Sequence, residues 1–151
     1  MITRALFLCL APTALAACAH APRSGGLETL KPAVETFHQR IRWKDYRGAA
    51  ELLVPDRREA FLKARAQKND DRDLSITDYQ LEDARLDADG LRAIVVSRVS
   101  WVRLPSVSEK TEVLSTELVF RDGAWLVARQ DGGPFVPELE AEYAATAPDA
   151  G

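Results

Sequence analysis

Phe120-Arg121-Asp122-Gly123-Ala124-Trp125-Leu126-Val127 reads as two strand ends joined by a two-residue turn. Asp-Gly suits such a turn because both central residues take positive φ, which glycine adopts freely and aspartate at little cost. A loop of those two residues alone sets Phe120 opposite Trp125, Leu118 opposite Val127 and Thr116 opposite Arg129. The first two pairs belong on a buried face, each worth roughly 0.2–1 kcal/mol over an alanine pair. Val119 and Leu126 fall on the other face. The hairpin strands run from Lys110 to Arg121 and from Ala124 to Asp131, where Gly132-Gly133-Pro134 stops the second.

Working back from the hairpin, Leu91 to Leu104 forms another strand, closed by Pro105. It has Ala93, Val95, Val99 and Trp101 on one parity and Ile94, Val96 and Val102 on the other. Apolar residues on both parities imply a strand covered on both faces for part of its length, or a bulged one. Ile76 to Leu86 is the first long strand, with Asp87-Ala88-Asp89-Gly90 as the turn after it.

Upstream the period is helical. Folding begins near Leu30, with Pro32 in a first helical turn and Val34, Phe37 and Ile41 at i, i+3 and i+7. Asp45 is placed to cap a second helix that buries Tyr46, Ala49, Ala50 and Leu53 and ends at Pro55. Asp56 and Glu59 have capping-box spacing for a third helix through Phe61 towards Ala66. Its cations Arg57, Arg58, Lys63, Arg65 and Lys68 read as a solvated face. Asn69 to Asp73 reads as a loop without the ligand spacing or terminal glutamate of a calcium site. Helices followed by long antiparallel strands make an α+β fold, with N-terminal helices packed on one face of a curved sheet.

The composition fits one folded domain: 151 residues, 46% hydrophobic and 28% charged, with a net charge of -3. That mild acidity disfavours nucleic acid as a partner. Met1 to Arg4 and the apolar Ala5 to Leu15 have the order of a signal peptide and are too short to span a bilayer, which takes about 20 apolar residues. Leu15-Ala16-Ala17-Cys18 resembles the bacterial lipobox. The resemblance implies cleavage before Cys18, acylation of its thiol, and a membrane anchor in the cell envelope. Ala19 after it implies the outer membrane, facing the periplasm. The bare residues also fit an ordinary secretory peptide cut near Ala17, or a buried N-terminal helix. The expected organisation is a signal peptide at 1–17, lipidated Cys18 with a flexible tether at 18–29, an α+β domain at 30–137 and a tail at 138–151.

Trp43-Lys44-Asp45-Tyr46-Arg47-Gly48-Ala49-Ala50 and Phe120 to Val127 together resemble the nuclear transport factor 2-like (SnoaL-like) cone fold of small bacterial lipoproteins, over Phe37 to Arg129. A cystatin-like helix-on-sheet domain is the competing architecture. The cone resemblance implies a cavity and, in its enzymes, acids, bases and tyrosines lining it. The candidates here are His38, Tyr79 and Asp83 for acid–base work, with Trp101 and Asp131 for ligand binding. No zinc-spaced Cys/His cluster, phosphate loop or nucleophile elbow occurs, so no metal or cofactor is expected. The expected function is a non-catalytic binding or accessory module for an envelope protein partner or a small apolar ligand. The alternative is a small cone enzyme of isomerase or dehydratase type. A third possibility, assembly through an exposed sheet face, requires an apolar patch of several hundred Å2 there.

Overall fold

The computed structural model describes residues 24–135 and 138–140. Cys18, the expected signal peptide and most of the expected tail lie outside the described residues. Four helices, α1 (Leu27–Arg42), α2 (Tyr46–Glu51), α3 (Pro55–Gln67) and α4 (Asp70–Asp73), precede four strands. These are β1 (Leu74–Leu86), β2 (Arg92–Arg103), β3 (Lys110–Arg121) and β4 (Ala124–Asp131), a meander of antiparallel neighbours in the order β1-β2-β3-β4. The α+β architecture read from the sequence is the one observed, with the helices on one face of the curved sheet.

The closing hairpin has the turn its sequence demands, with Asp122 at φ 51° and Gly123 at φ 80°. Phe120 pairs with Trp125 and Leu118 with Val127, but Thr116 pairs with Gln130 rather than Arg129. An irregularity at Glu117/Leu118 takes up the extra residue, Ala128, and restores an inward side chain at Gln130. Gln130 Nε2 then donates to Thr116 Oγ1 at 3.1 Å inside the core. Two further register shifts in β1, at Ile76/Asp78 and Leu81/Asp83, add to the bending. In β2, Ala93, Val95, Val99 and Trp101 are buried under the helices, while Ile94 on the outer face is exposed.

Helix α1 starts at Leu27, three residues before the expected Leu30, so residues 27–29 are not tether. Thr29 explains the earlier start. Its backbone N–H and its hydroxyl both donate to Gly26 O, and its hydroxyl accepts from Gly26 N. Pro32 therefore sits mid-helix, with its ring on the exposed side. Leu30, Val34, Phe37 and Ile41 pack inward as expected. Asp45 caps α2 by accepting from Gly48 N at 2.9 Å.

Pro55 opens α3 rather than ending α2, and the Asp56/Glu59 capping box does not form. The link before it docks on the edge of β4: Val127 N donates to Leu52 O at 2.8 Å and Val54 N to Val127 O at 3.0 Å. Leu53 thereby enters the main core, and Val54 packs with Val119 and Ala128 in a separate cluster.

The expected loop at Asn69 to Asp73 is a helical turn, α4, entered through Asn69 at φ 51°. Asp70 in it is fully buried. Arg65, expected on a solvated face, is 3% exposed, because Asp70 faces it at 2.8 Å and Glu138 at 2.9 Å. Its guanidinium also lies over the rings of Phe61 and Phe135, 5.0 and 4.6 Å from their centroids. Arg103 reaches Asp70 from β2, and Lys68 meets Glu138 at 2.6 Å. Tyr46 donates to Asp70 O at 3.3 Å. Burial, with the Asp70 charge adding to it, pushes that phenol up to about 12. Residues 138–140 are not loose tail either: Leu139 is fully buried and its carbonyl accepts from Gln130 N.

Removing one member of a buried ion pair strands its partner. Asp70→Asn should therefore lower stability by about 3–5 kcal/mol in denaturant titrations. Asp83→Asn, at the exposed pair with Arg85, should change it by less than about 1 kcal/mol. Equal effects of the two would contradict a structural role for the Asp70 cluster.

Candidate functional site

Beside its core stripe, α1 carries a second stripe, Glu35, His38, Gln39 and Arg42, at i, i+3, i+4 and i+7. These residues face Tyr79 and Leu81 of β1, and Trp43 closes the end of the helix. Together the seven residues line a pocket of ≈ 440 Å3. That is within the range of small-molecule sites.

His38 forms its base. The residue is 6% exposed, and its ring stacks on Tyr79 with centroids 3.8 Å apart and planes at 20°. Phe37 meets the same ring edge-on at 5.4 Å. The His38 Nε2 is buried without a hydrogen-bond partner among the described residues. Such a nitrogen costs roughly 1–3 kcal/mol unless something meets it. Burial drives the imidazole from 6.5 down to about 3, so it is neutral at neutral pH. The Tyr79 hydroxyl accepts from Ser97 Oγ at 3.4 Å. Its pKa is raised, first by burial and then by the Glu35 charge, with the Ser97 bond opposing.

The chemistry follows from those protonation states. An imidazole that protonates only near pH 3 is a poor proton acceptor at pH 7. It remains a good neutral hydrogen-bonding group beside an aromatic wall. The rim is different in character: Trp43 is 76% exposed and Arg42 is exposed beside it.

Of the residues singled out from sequence, His38 and Tyr79 are brought together. Asp83 lies on the same strand beyond the second register shift and accepts from Arg85 Nε at 2.8 Å. It does not line the pocket. Asp131 ends β4 and pairs with Arg129 at 2.7 Å. Trp101 is buried in a different concavity of ≈ 580 Å3, with Lys68, Arg103, Lys110, Glu112, Gly133 and Pro134. Much of that lining is engaged: Lys68 meets Glu138, Arg103 meets Asp70, and Glu112 accepts from Gly133 N. Sequence reasoning missed Glu35, Gln39, Arg42, Trp43 and Leu81. The spacing of the polar α1 stripe around His38 was the available signal. Among the described residues no group of three or more His, Cys, Asp or Glu could hold a metal ion, and no helix is long and apolar enough to cross a membrane.

The architecture has counterparts among solved structures. An NTF-2-like protein of unknown function from Shewanella oneidensis MR-1 matches at 13% identity and a TM-score of 0.54, over 68% of this chain and 94% of that one. A ketosteroid isomerase-like protein from Erwinia carotovora atroseptica matches at 11% identity and 0.54, over 69% and 92%. The fold is nuclear transport factor 2-like. A SEC-C motif-containing protein from Rhodopseudomonas palustris shares the cone architecture at 15% identity and a TM-score of 0.55, over 68% and 77%. No protein-family model and no curated protein matches the chain. At these identities the likeness concerns the cone itself and carries no activity across.

The buried imidazole makes stability depend on pH with a definite sign. His38 has a folded pKa of about 3 against 6.5 unfolded, so the unfolded chain takes up the proton first as pH falls. Its contribution is complete above pH 6.5 and is lost on the way down to pH 3. Between pH 7 and pH 5 that amounts to about 2 kcal/mol. Unfolding free energies of the wild type and His38→Phe from denaturant titrations should diverge by this amount on acidification. Parallel profiles would refute the depressed pKa.

Proposed function

We propose that this chain is a non-catalytic binding module that takes a small, largely apolar ligand into the α1–β1 pocket. It is held at a bacterial envelope membrane through acylated Cys18. The observation that carries the pocket reading is the His38 Nε2, buried at the base of an aromatic-walled pocket with no protein partner. A small shift of the His38 ring would let a ligand hydroxyl or carbonyl meet that nitrogen while the ligand ring lies along Tyr79 and Leu81. The anchor reading rests on Leu15-Ala16-Ala17-Cys18 behind an apolar run with Arg4 before it.

A neighbouring fold bears the description ketosteroid isomerase-like, and the enzymatic alternative would use the same cone. General acid–base catalysis at pH 7 wants a group poised near that pH within reach of the substrate. His38 titrates far below it, and Asp83 is turned to Arg85. Binding therefore fits the pocket better than proton transfer.

2-Naphthol, a planar apolar probe with one hydroxyl, should bind saturably in calorimetry. His38→Phe keeps the aromatic stack and removes the nitrogen, so it should weaken that binding by about fivefold, the size of one net hydrogen bond. Unchanged binding in the variant would overturn the role given to His38. For the anchor, Cys18→Ser should abolish incorporation of a fatty-acid analogue and release the protein from membranes. Persistent labelling would refute it.

A further inference from the structure

We infer that the pocket selects anionic amphiphiles, with a carboxylate or similar oxyanion held at Arg42 and the apolar body lying between Trp43 and the His38–Tyr79 stack. This rests on the proposed ligand pocket and adds the ligand's charge and orientation to it. Three observations around the pocket converge.

The first is a polarity gradient along the pocket. His38 at the base is neutral, buried and unpartnered at Nε2, and Tyr79 and Leu81 form the wall. This part accepts an apolar body with one neutral polar atom. The second is charge imbalance at the rim. Of the two charged residues that line the pocket, Glu35 faces Lys31 at 3.8 Å. Arg42 makes no ion pair or side-chain hydrogen bond among the described residues, although it stands one turn from His38. The charge without a side-chain partner is thus positive; at the helix C-terminus it also faces the negative end of the helix dipole, so an anion must bind through the guanidinium itself. Arginine is suited to bidentate contact with an oxyanion.

The third is the exposed indole. Trp43 is 76% exposed beside Arg42, with no aromatic or cationic neighbour on its ring among the described residues. A cation and an uncovered ring at the end of α1, beside an apolar recess, match a molecule with a charged head and a flat or aliphatic body. Arg42 lies four residues, about 6 Å along the helix, beyond His38. That spacing suits a head group separated from the inner polar atom by a ring or a short chain.

Two probes of similar shape and different charge, each with a hydroxyl at the far end of the ring for His38, test the inference: 6-hydroxy-2-naphthoate and its uncharged methyl ester, titrated against the full chain by calorimetry at pH 7. The naphthoate should bind about three- to fivefold more tightly than the ester, the size an exposed ion pair supports. Arg42→Gln should erase that preference by weakening the acid alone. Added salt should erase it too. Arg47→Gln, an exposed cation on α2 away from the pocket, should change neither affinity.

Equal affinities for acid and ester in the wild type, each weakened by His38→Phe, would overturn charge selection while leaving the pocket standing. A preference for the acid that survives Arg42→Gln would overturn the assignment of the anion site to Arg42. Failure of both probes to bind, or binding indifferent to His38→Phe, would remove the pocket reading and the inference together.

Discussion

A carboxylate with no exposed surface, Asp70, holds the helical layer to the sheet. Arg65 approaches it from α3, Arg103 from the end of β2, and Tyr46 from α2 binds its backbone carbonyl. Through Arg65 the cluster extends to Glu138 and the rings of Phe61 and Phe135, so the chain beyond β4 is drawn into the same contact. Burying these charges is costly, and a close-packed apolar substitute can match or exceed a buried ion pair in stability. What the cluster supplies is position. It fixes where α3 ends, where β1 begins one residue after α4, and therefore where the inner face of β1 stands relative to α1. The pocket between those two elements lies farther along β1, at Tyr79 and Leu81.

The cone is also kept in shape by what fills it. Phe37, Ile41, Phe61, Leu114, Leu118 and Trp125 are buried in one continuous cluster beneath the helices. Space for a ligand remains at the margin, where α1 stops covering β1. The local chemistry changes there from aliphatic to aromatic and polar. His38 is the point of transition: one side of its ring belongs to the core through Phe37, and the other belongs to the pocket through Tyr79.

The parts of this fold governed by local chemistry were readable from sequence. The Asp122-Gly123 turn, the ends of β3 and β4, the Asp45 cap and the inward stripe of α1 all follow from nearest-neighbour rules, and they stand as expected. What escaped depends on partners distant in sequence. Arg65 looks like any surface cation until Asp70 and Glu138 are brought beside it. Asn69 to Asp73 looks like a loop until Arg65 and Arg103 make a buried aspartate tolerable. The residue taken up at Ala128 leaves no compositional trace, so Gln130 could not be distinguished from Arg129 as the inward residue. At the site, His38 and Tyr79 were recognisable by type and their meeting was not. Asp83 was displaced by a register shift of the same hidden kind.

One small contact governs how the domain can be presented to its surroundings. Gly25 N donates to Gly90 O at 2.9 Å, and the indole of Trp125 lies so close to Gly25 that a β-carbon there would fall 2.4 Å from the ring. The chain is thus clamped at the end of the sheet carrying the β1–β2 and β3–β4 turns. Any force or attachment acting on the preceding residues enters the domain at that end. The β2–β3 connection then stands about 40 Å away along twelve residues of strand. The C-terminus of α1 lies about 24 Å from the clamp along its sixteen residues. The Arg42–Trp43 rim thus lies at the opposite end of α1 from the point where the chain enters the domain.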